Sequence, residues 1–444
     1  MRTTTALFKI ATLALAAAAI ARSAPKNATS AMRIYATNSK ADDISVIDIA
    51  TRKVIADIKV GAAVHGVCAQ ADGRRLFTTI ESENSLKMID TGTNEVIGVI
   101  ALTGTPNQCA VTPDGRYVAA PINHENGVDI VDVMQKKVVK VLPIKKPHNC
   151  VNRGDNDDMY CSSIGEKEIK GIDLKTMDFN SEIPVGGVPR PFDVSRDGKT
   201  AYVALSYLHG FAIASIPEKK IVERVELPPA PPNACKTEPD DTMTHGLALS
   251  PNGKDLWVTS IADNGVYDYD LIAKKTSKEV PTGDCPNWIS ISPDGRYVTV
   301  SNSGSDSVSI IDSATQREIA RIAVGKEPKR LLVVNVPIAR VFSPEYFFKP
   351  RAATSSLLPR KAAGVTVEWK RPCRDRRSAC KSASNSHTAK NVPRGEHCLN
   401  DWLSHRQAQF VRVCGETGRA SLRPASRTQP RRKDSRTLDE GSGT

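Results

Sequence analysis

The chain of 444 residues lacks a long hydrophobic run: its most apolar stretch, Ile10 to Ile20, has 11 residues, well short of a helix that crosses a hydrocarbon core of ~30 Å. A multispanning membrane protein is excluded. The main body also lacks any charge excess. The net charge of +12 comes from residues 338–444, which carry 22 Lys+Arg against 9 Asp+Glu, leaving 39 against 40 for the rest. A nucleic-acid-binding reading of residues 1–337 has no electrostatic footing. Familiar catalytic patterns are missing as well. There is no Gly-x-Ser-x-Gly elbow, HExxH pair or phosphate loop, so the common hydrolase and nucleotide chemistries have no motif behind them. No CxxCH occurs, which removes covalent haem attachment.

What the N-terminus does have is Arg2 and Lys9, the short apolar run, and then Ala21-Arg22-Ser23 with small residues at its first and third positions. This is the form of a secretory signal, residues 1–23, with cleavage expected after Ser23 and a leader over residues 24–32. The expected location is secreted or periplasmic. Six of the ten cysteines precede residue 337, and in an oxidising compartment disulfides are expected among them.

The strongest signal is self-similarity. An apolar strand ends in Asp48, Asp90, Asp132, Asp173, Asp270 and Asp312, with Ser215 in the same slot, at spacings of 42, 42, 41, 42, 55 and 42. Eighteen residues before each anchor after the first stands a turn pair: Asp72-Gly73, Asp114-Gly115, Asp155-Asn156, Asp197-Gly198, Asn252-Gly253 and Asp294-Gly295. Gly or Asn in second place accepts the positive φ of a hairpin turn. Aromatics recur thirteen residues before the anchor, at Tyr35, Phe77, Tyr160, Tyr202 and Trp257. Four short strands per 42-residue unit predict an all-β, seven-bladed β-propeller over residues 33–336. The first unit lacks an inner strand, while Glu327 to Val334 supplies one with no unit after it. The two chain ends are therefore expected to share one blade, closing the ring.

The residues Tyr35-Ala36-Thr37-Asn38, Ser292-Pro293-Asp294-Gly295-Arg296, Ser301-Asn302, Val308 to Asp312 and Val324-Gly325 resemble the secreted propeller repeats of the YVTN family. The resemblance implies the fold and export. It does not imply one activity, since relatives include surface-layer proteins, lactonase-like enzymes and propellers of periplasmic redox enzymes.

Alternation of strands places the second-to-third loops and the blade crossings on one end of the propeller. On that end, seven residues before each turn pair, stand His65, Asn107, His148, Arg190, His245 and Asn287, with Lys329 equivalent in the shared blade. All can hydrogen-bond. His124 and His209 fall in second-to-third loops on the same end. One reading makes His65, His148 and His245 ligands of a Zn or Cu ion. The other makes the whole set, with Arg190 and Lys329, a polar mouth for a small, anionic ligand. Offsets about the Asp155-Asn156 turn predict that Cys150 and Cys161 face each other as a disulfide. Cys235, in the Pro-rich insertion around Pro228 to Thr244, and Cys285, at the next crossing, form a second candidate pair.

After Pro337 the repeat stops, and residues 337–444 are expected to be a disordered basic tail outside the functional unit. The expected protein is an exported, monomeric, non-catalytic propeller binding a partner protein or small ligand at its His-bearing end. The alternatives are a lactonase-like hydrolase and a redox accessory holding a metal on its histidines.

Overall fold

The computed structural model describes residues 29–152, 158–230, 235 and 242–338. The expected signal, most of the leader and the basic tail lie outside these residues, as do the Asp155-Asn156 turn pair and most of the Pro-rich insertion. The described residues form seven antiparallel blades with no α-helix. No helix among them is long and apolar enough to cross a membrane.

The blades stand around a central channel walled by their inner strands: Pro328–Pro337, Val64–Ala69, Ala110–Val111, Pro147–Val151, Pro189–Val194, Thr244–Leu249 and Pro286–Ile291. Each blade has four strands, and in the sixth the outermost is split into Lys275–Thr276 and Val280–Pro281. The first blade is shared as expected. Its inner strand is the C-terminal Pro328–Pro337, paired with the N-terminal Ser30–Asn38 in the register Arg33 to Val334 and Ala36 to Leu331. The N-terminal strand opens at Ser30, three residues before the repeat becomes legible, because Ser30 to Met32 find partners in Pro337 to Asn335.

The repeat is explained by its turns. The anchor carboxylates close the loop between the third and outermost strands: Asp48 Oδ1 accepts the Thr51 N–H at 2.7 Å, Asp173 Oδ1 that of Lys175 at 2.7 Å and Asp270 Oδ1 that of Ile272 at 2.8 Å. Ser215 Oγ does the same for Glu218 at 3.3 Å. This side-chain mimic of a backbone turn is why Asp is favoured there. At the first-to-second turns Gly73, Gly115, Gly198, Gly253 and Gly295 have φ of 67 to 74°, the left-handed region that glycine adopts without strain.

The core lies between blades. Phe77 of the second blade packs with Val118 and Val131 of the third, and Phe211 of the fifth with Leu256 and Tyr267 of the sixth. The recurrent aromatics are all buried, from Tyr35 at 0 % to Tyr202 at 8 % exposed. Each such side chain contributes roughly 1.5–3 kcal/mol by leaving water, so the ring is held by seven similar layers instead of one centre.

Among the described residues three disulfides reinforce it. Cys150–Cys161 joins directly opposed residues of one hairpin, and Cys235–Cys285 ties the insertion to the crossing into the seventh blade, both as expected. The third, Cys68–Cys109, links the inner strands of the second and third blades and was not anticipated.

Candidate functional site at the channel mouth

One irregularity recurs in every blade and positions the site. The pairing of the inner strand slips by one residue between Val64 and Val67, Pro147 and Cys150, Pro189 and Phe192, Thr244 and Leu247, and Pro286 and Trp288. The shared blade slips opposite Ala36 and Asn38. In the third blade the isolated bridge Pro106–Ile122 stands one out of register with Ala110–Ala119. Each slip is a β-bulge, which bends a strand and re-aims a side chain. Inside these bulges stand the residues singled out by spacing, His65, Asn107, His148, Arg190, His245, Asn287 and Lys329, and also Arg330.

Neighbouring blades hold the bulges in place. Thr37 Oγ1 donates to the His65 carbonyl at 2.9 Å, Thr79 Oγ1 to that of Asn107 at 2.8 Å and Ser301 Oγ to that of Lys329 at 3.0 Å. Between the sixth and seventh blades the histidine does this work itself, with His245 Nδ1 2.8 Å from the Asn287 carbonyl. Gly66 and Gly246, just after two of the histidines, leave no room for a side chain. A Cβ on Gly66 would stand 2.7 Å from the Asn107 carbonyl oxygen, and one on Gly246 2.9 Å from Ile289 N.

The result is a cavity of about 470 Å³ at the mouth, lined by His65, Asn107, His148, Arg190, His245 and Lys329 together with His124. Two residues picked out by sequence stand elsewhere. Asn287 is fully buried behind the wall, where its Oδ1 accepts from Arg330 Nη1 at 2.7 Å. His209 lies outside the cavity, its Nε2 2.8 Å from Ser260 Oγ and its ring edge-on to Tyr267. Glu81, Arg330, Asn123 and Thr105 line the cavity without having been foreseen. Glu81 opens the single-turn 3₁₀ helix Glu81–Glu83 and its carboxylate contacts His65 Nδ1.

Among the described residues lining it, the cavity carries three cations, Arg190, Lys329 and Arg330, and one carboxylate, Glu81. Arg330 is 2 % exposed and its guanidinium lies 4.4 Å from the centre of the Trp288 ring, a desolvated cation–π contact. The imidazoles of His65, His148 and His245 add no charge at neutral pH. Burial, and then the positive field of Arg330, push His65 down to about 4 from the ordinary 6.5, despite its contact with Glu81. The same two causes hold His148 and His245 well below that value. Glu81 is pulled the other way by burial, but the hydrogen bond from His65 and the charges of Lys329 and Arg330 keep it below the ordinary carboxylate range.

Among the described residues no group of three or more His, Cys, Asp or Glu side chains is disposed to hold a metal ion. His65 and His245 turn their Nδ1 atoms to Glu81 and to a backbone carbonyl, which leaves Nε2 as the free ring nitrogen of each; the rings of His148 and His245 stand edge-to-face with centres 5.9 Å apart, and the cations Arg190, Lys329 and Arg330 oppose a metal ion beside them.

A second cavity of about 330 Å³ is lined by residues of all seven blades, among them Phe192, Leu247, Trp288 and Leu331. Arg330 lines the mouth cavity and Trp288 the second one, so this pair stands where the two meet.

No family model matches the chain. It is 29 % identical over 155 residues to Antigen Lp49 of Leptospira interrogans serogroup Icterohaemorrhagiae serovar copenhageni (strain Fiocruz L1-130), a match covering 33 % of this chain and 31 % of the antigen. Among solved structures, Kuenenia stuttgartiensis hydrazine synthase superposes with a TM-score of 0.53 at 20 % identity, covering 62 % of this chain and 96 % of that one. A functionally unknown protein from Desulfotomaculum acetoxidans DSM 771 superposes with a TM-score of 0.57 at 13 % identity, covering 69 % and 99 %. At these identities the structural likeness speaks to the fold alone: the chain is a seven-bladed β-propeller.

Proposed function

We propose that this protein is an exported, non-catalytic propeller of the YVTN kind that binds a small anionic ligand at the His-bearing mouth of its channel. The observation that carries the reading is the charge of the cavity wall, with Arg190, Lys329 and Arg330 set against Glu81. Because Arg330 is desolvated, an anion beside it interacts in a low dielectric, where the attraction is several times stronger than in water. Three disulfides fit an oxidising compartment, and the distant match to an antigen is consistent with export.

The hydrolase and redox alternatives are not favoured. Among the described residues lining the cavity there is no serine or cysteine to act as a nucleophile, and the histidines do not gather as metal ligands.

Calorimetric titration with succinate and with its uncharged analogue succinamide tests the reading. Binding of succinate, absent for succinamide and weakened at least about tenfold in Arg190→Ala by loss of a charge-assisted contact, is expected. Equal binding of the two, or of neither, would overturn it.

A further inference from the structure

The proton positions on the histidines narrow the ligand class further, an inference that rests on the anion-binding reading above. A backbone carbonyl can only accept a hydrogen bond, so the 2.8 Å contact between His245 Nδ1 and the Asn287 carbonyl fixes the proton on Nδ1. The ionised Glu81 carboxylate likewise accepts, which places the His65 proton on the Nδ1 it contacts. Both rings line the cavity and both are held neutral. Each Nε2 is then a lone-pair acceptor. His65 Nε2 is buried with no hydrogen-bond partner, a condition that a folded protein tolerates at a cost of about 1–3 kcal/mol.

The mouth thus combines two demands. Its cations call for negative charge, while its imidazoles call for a donor, which a simple carboxylate at neutral pH does not have. An ammonium group would donate, but it would be brought into the field of Arg190, Lys329 and Arg330. A hydroxyl donates without carrying charge. We infer that the ligand is a hydroxy acid, its carboxylate directed to the arginine and lysine side chains and its hydroxyl donating to Nε2 of His65 or His245.

Matched pairs of probes decide this: L-malate against succinate and L-lactate against propionate, titrated calorimetrically into the full-length secreted protein. The hydroxylated member of each pair is expected to bind at least about tenfold tighter, the usual discrimination of a site whose polar group is otherwise left unpaired. In His65→Leu and His245→Phe, which remove the acceptors, that ratio is expected to fall toward one. Because the wild-type comparison needs no variant, a misfolded mutant leaves the test intact. Equal affinity within both pairs would overturn the hydroxy-acid assignment and leave the anion reading standing. Binding by none of the four probes would overturn both.

Discussion

The Arg330 guanidinium stacks 4.4 Å from the Trp288 ring centre while its Nη1 donates to Asn287 Oδ1 at 2.7 Å. Arg330 belongs to the C-terminal strand that completes the first blade, and both partners belong to the seventh. One side chain therefore joins the first blade to the seventh and supplies charge to the floor of the mouth. The same residue takes part in closing the ring through its backbone, whose N–H donates to Thr37 Oγ1 of the N-terminal strand at 3.0 Å.

Replacing this arginine by methionine keeps most of the aliphatic stem and removes the charge. Arg330 lowers the basicity of all three mouth histidines, so in Arg330→Met the His65 titration is expected to move up from about 4 toward the ordinary 6.5. Imidazole ¹⁵N NMR across pH 3 to 8 reads this directly, provided the variant is folded. Loss of the donor to Asn287 is expected to cost about 1–3 kcal/mol in denaturant unfolding. A His65 pKa that stays near 4 would mean burial alone sets it.

Stability should depend on pH in a window set by the same histidines. Their folded pKa values are depressed, so between the folded and unfolded values the native state binds fewer protons than the unfolded chain. Stability then rises with pH across that window. For His65 the window runs from about 4 to 6.5. The stabilisation is fully present above pH 6.5 and declines as acid is added, with each buried histidine contributing up to about 1.4 kcal/mol per pH unit. Urea midpoints at pH 7.5, 6 and 5 are expected to fall in that order, and the decline should be shallower in His148→Gln, where one such group is gone. A flat profile over this range would contradict the burial of neutral imidazoles.

The glycines after His65 and His245 are packing residues. In Gly66→Ala the new Cβ would meet the Asn107 carbonyl at 2.7 Å and Thr79 Oγ1 at 2.8 Å, and in Gly246→Ala it would meet Trp288 Cα and Ile289 N at 2.9 Å. These neighbours are inner-strand backbone or are tied to it, so adjacent blades must separate. A loss of about 1–3 kcal/mol is expected for each, as for other overpacked sites. Gly253→Ala is the control: nothing lies within 4 Å of it, but its φ of +71° should cost about 1–2 kcal/mol through backbone strain alone. Only the first two are expected to alter the mouth and lower anion affinity.

How much of this was legible follows from the physics of the repeat. The anchor aspartates and turn glycines perform a local task that has few chemical solutions, so they recur and reveal blade number and closure. The mouth was legible only as a slot. Alternation of strand side chains leaves the direction of His65 or Arg190 undetermined, and the bulge that settles it comes from pairing, which no residue type at that position announces. Arg330 escaped because it stands one place after the slot. Glu81 escaped because a residue opening a second-to-third loop has no fixed partner until the blade is folded. Asn287 was found by spacing yet is buried behind the wall, since equivalent positions share backbone geometry and not their side chains' surroundings.

The disulfide missed by hairpin reasoning offers the last test. Cys68 and Cys109 are 41 residues apart, close to one repeat, which in a propeller places two residues at similar depth on neighbouring inner strands. Loop-closure entropy makes such a bridge more stabilising than one within a hairpin: about 4 kcal/mol for a 41-residue separation against about 3 for the 11-residue separation of Cys150 and Cys161. The pair of variants Cys68→Ser/Cys109→Ser and Cys150→Ser/Cys161→Ser is therefore expected to lose stability in that order in reversible denaturant unfolding. The first should in addition loosen the contact between the second and third blades, seen as faster amide hydrogen exchange in Val64–Ala69 and Ala110–Val111. An equal loss in both variants, with no change in exchange at those strands, would show that the cross-blade bridge adds nothing that the interblade packing of Phe77 and Val118 does not already secure.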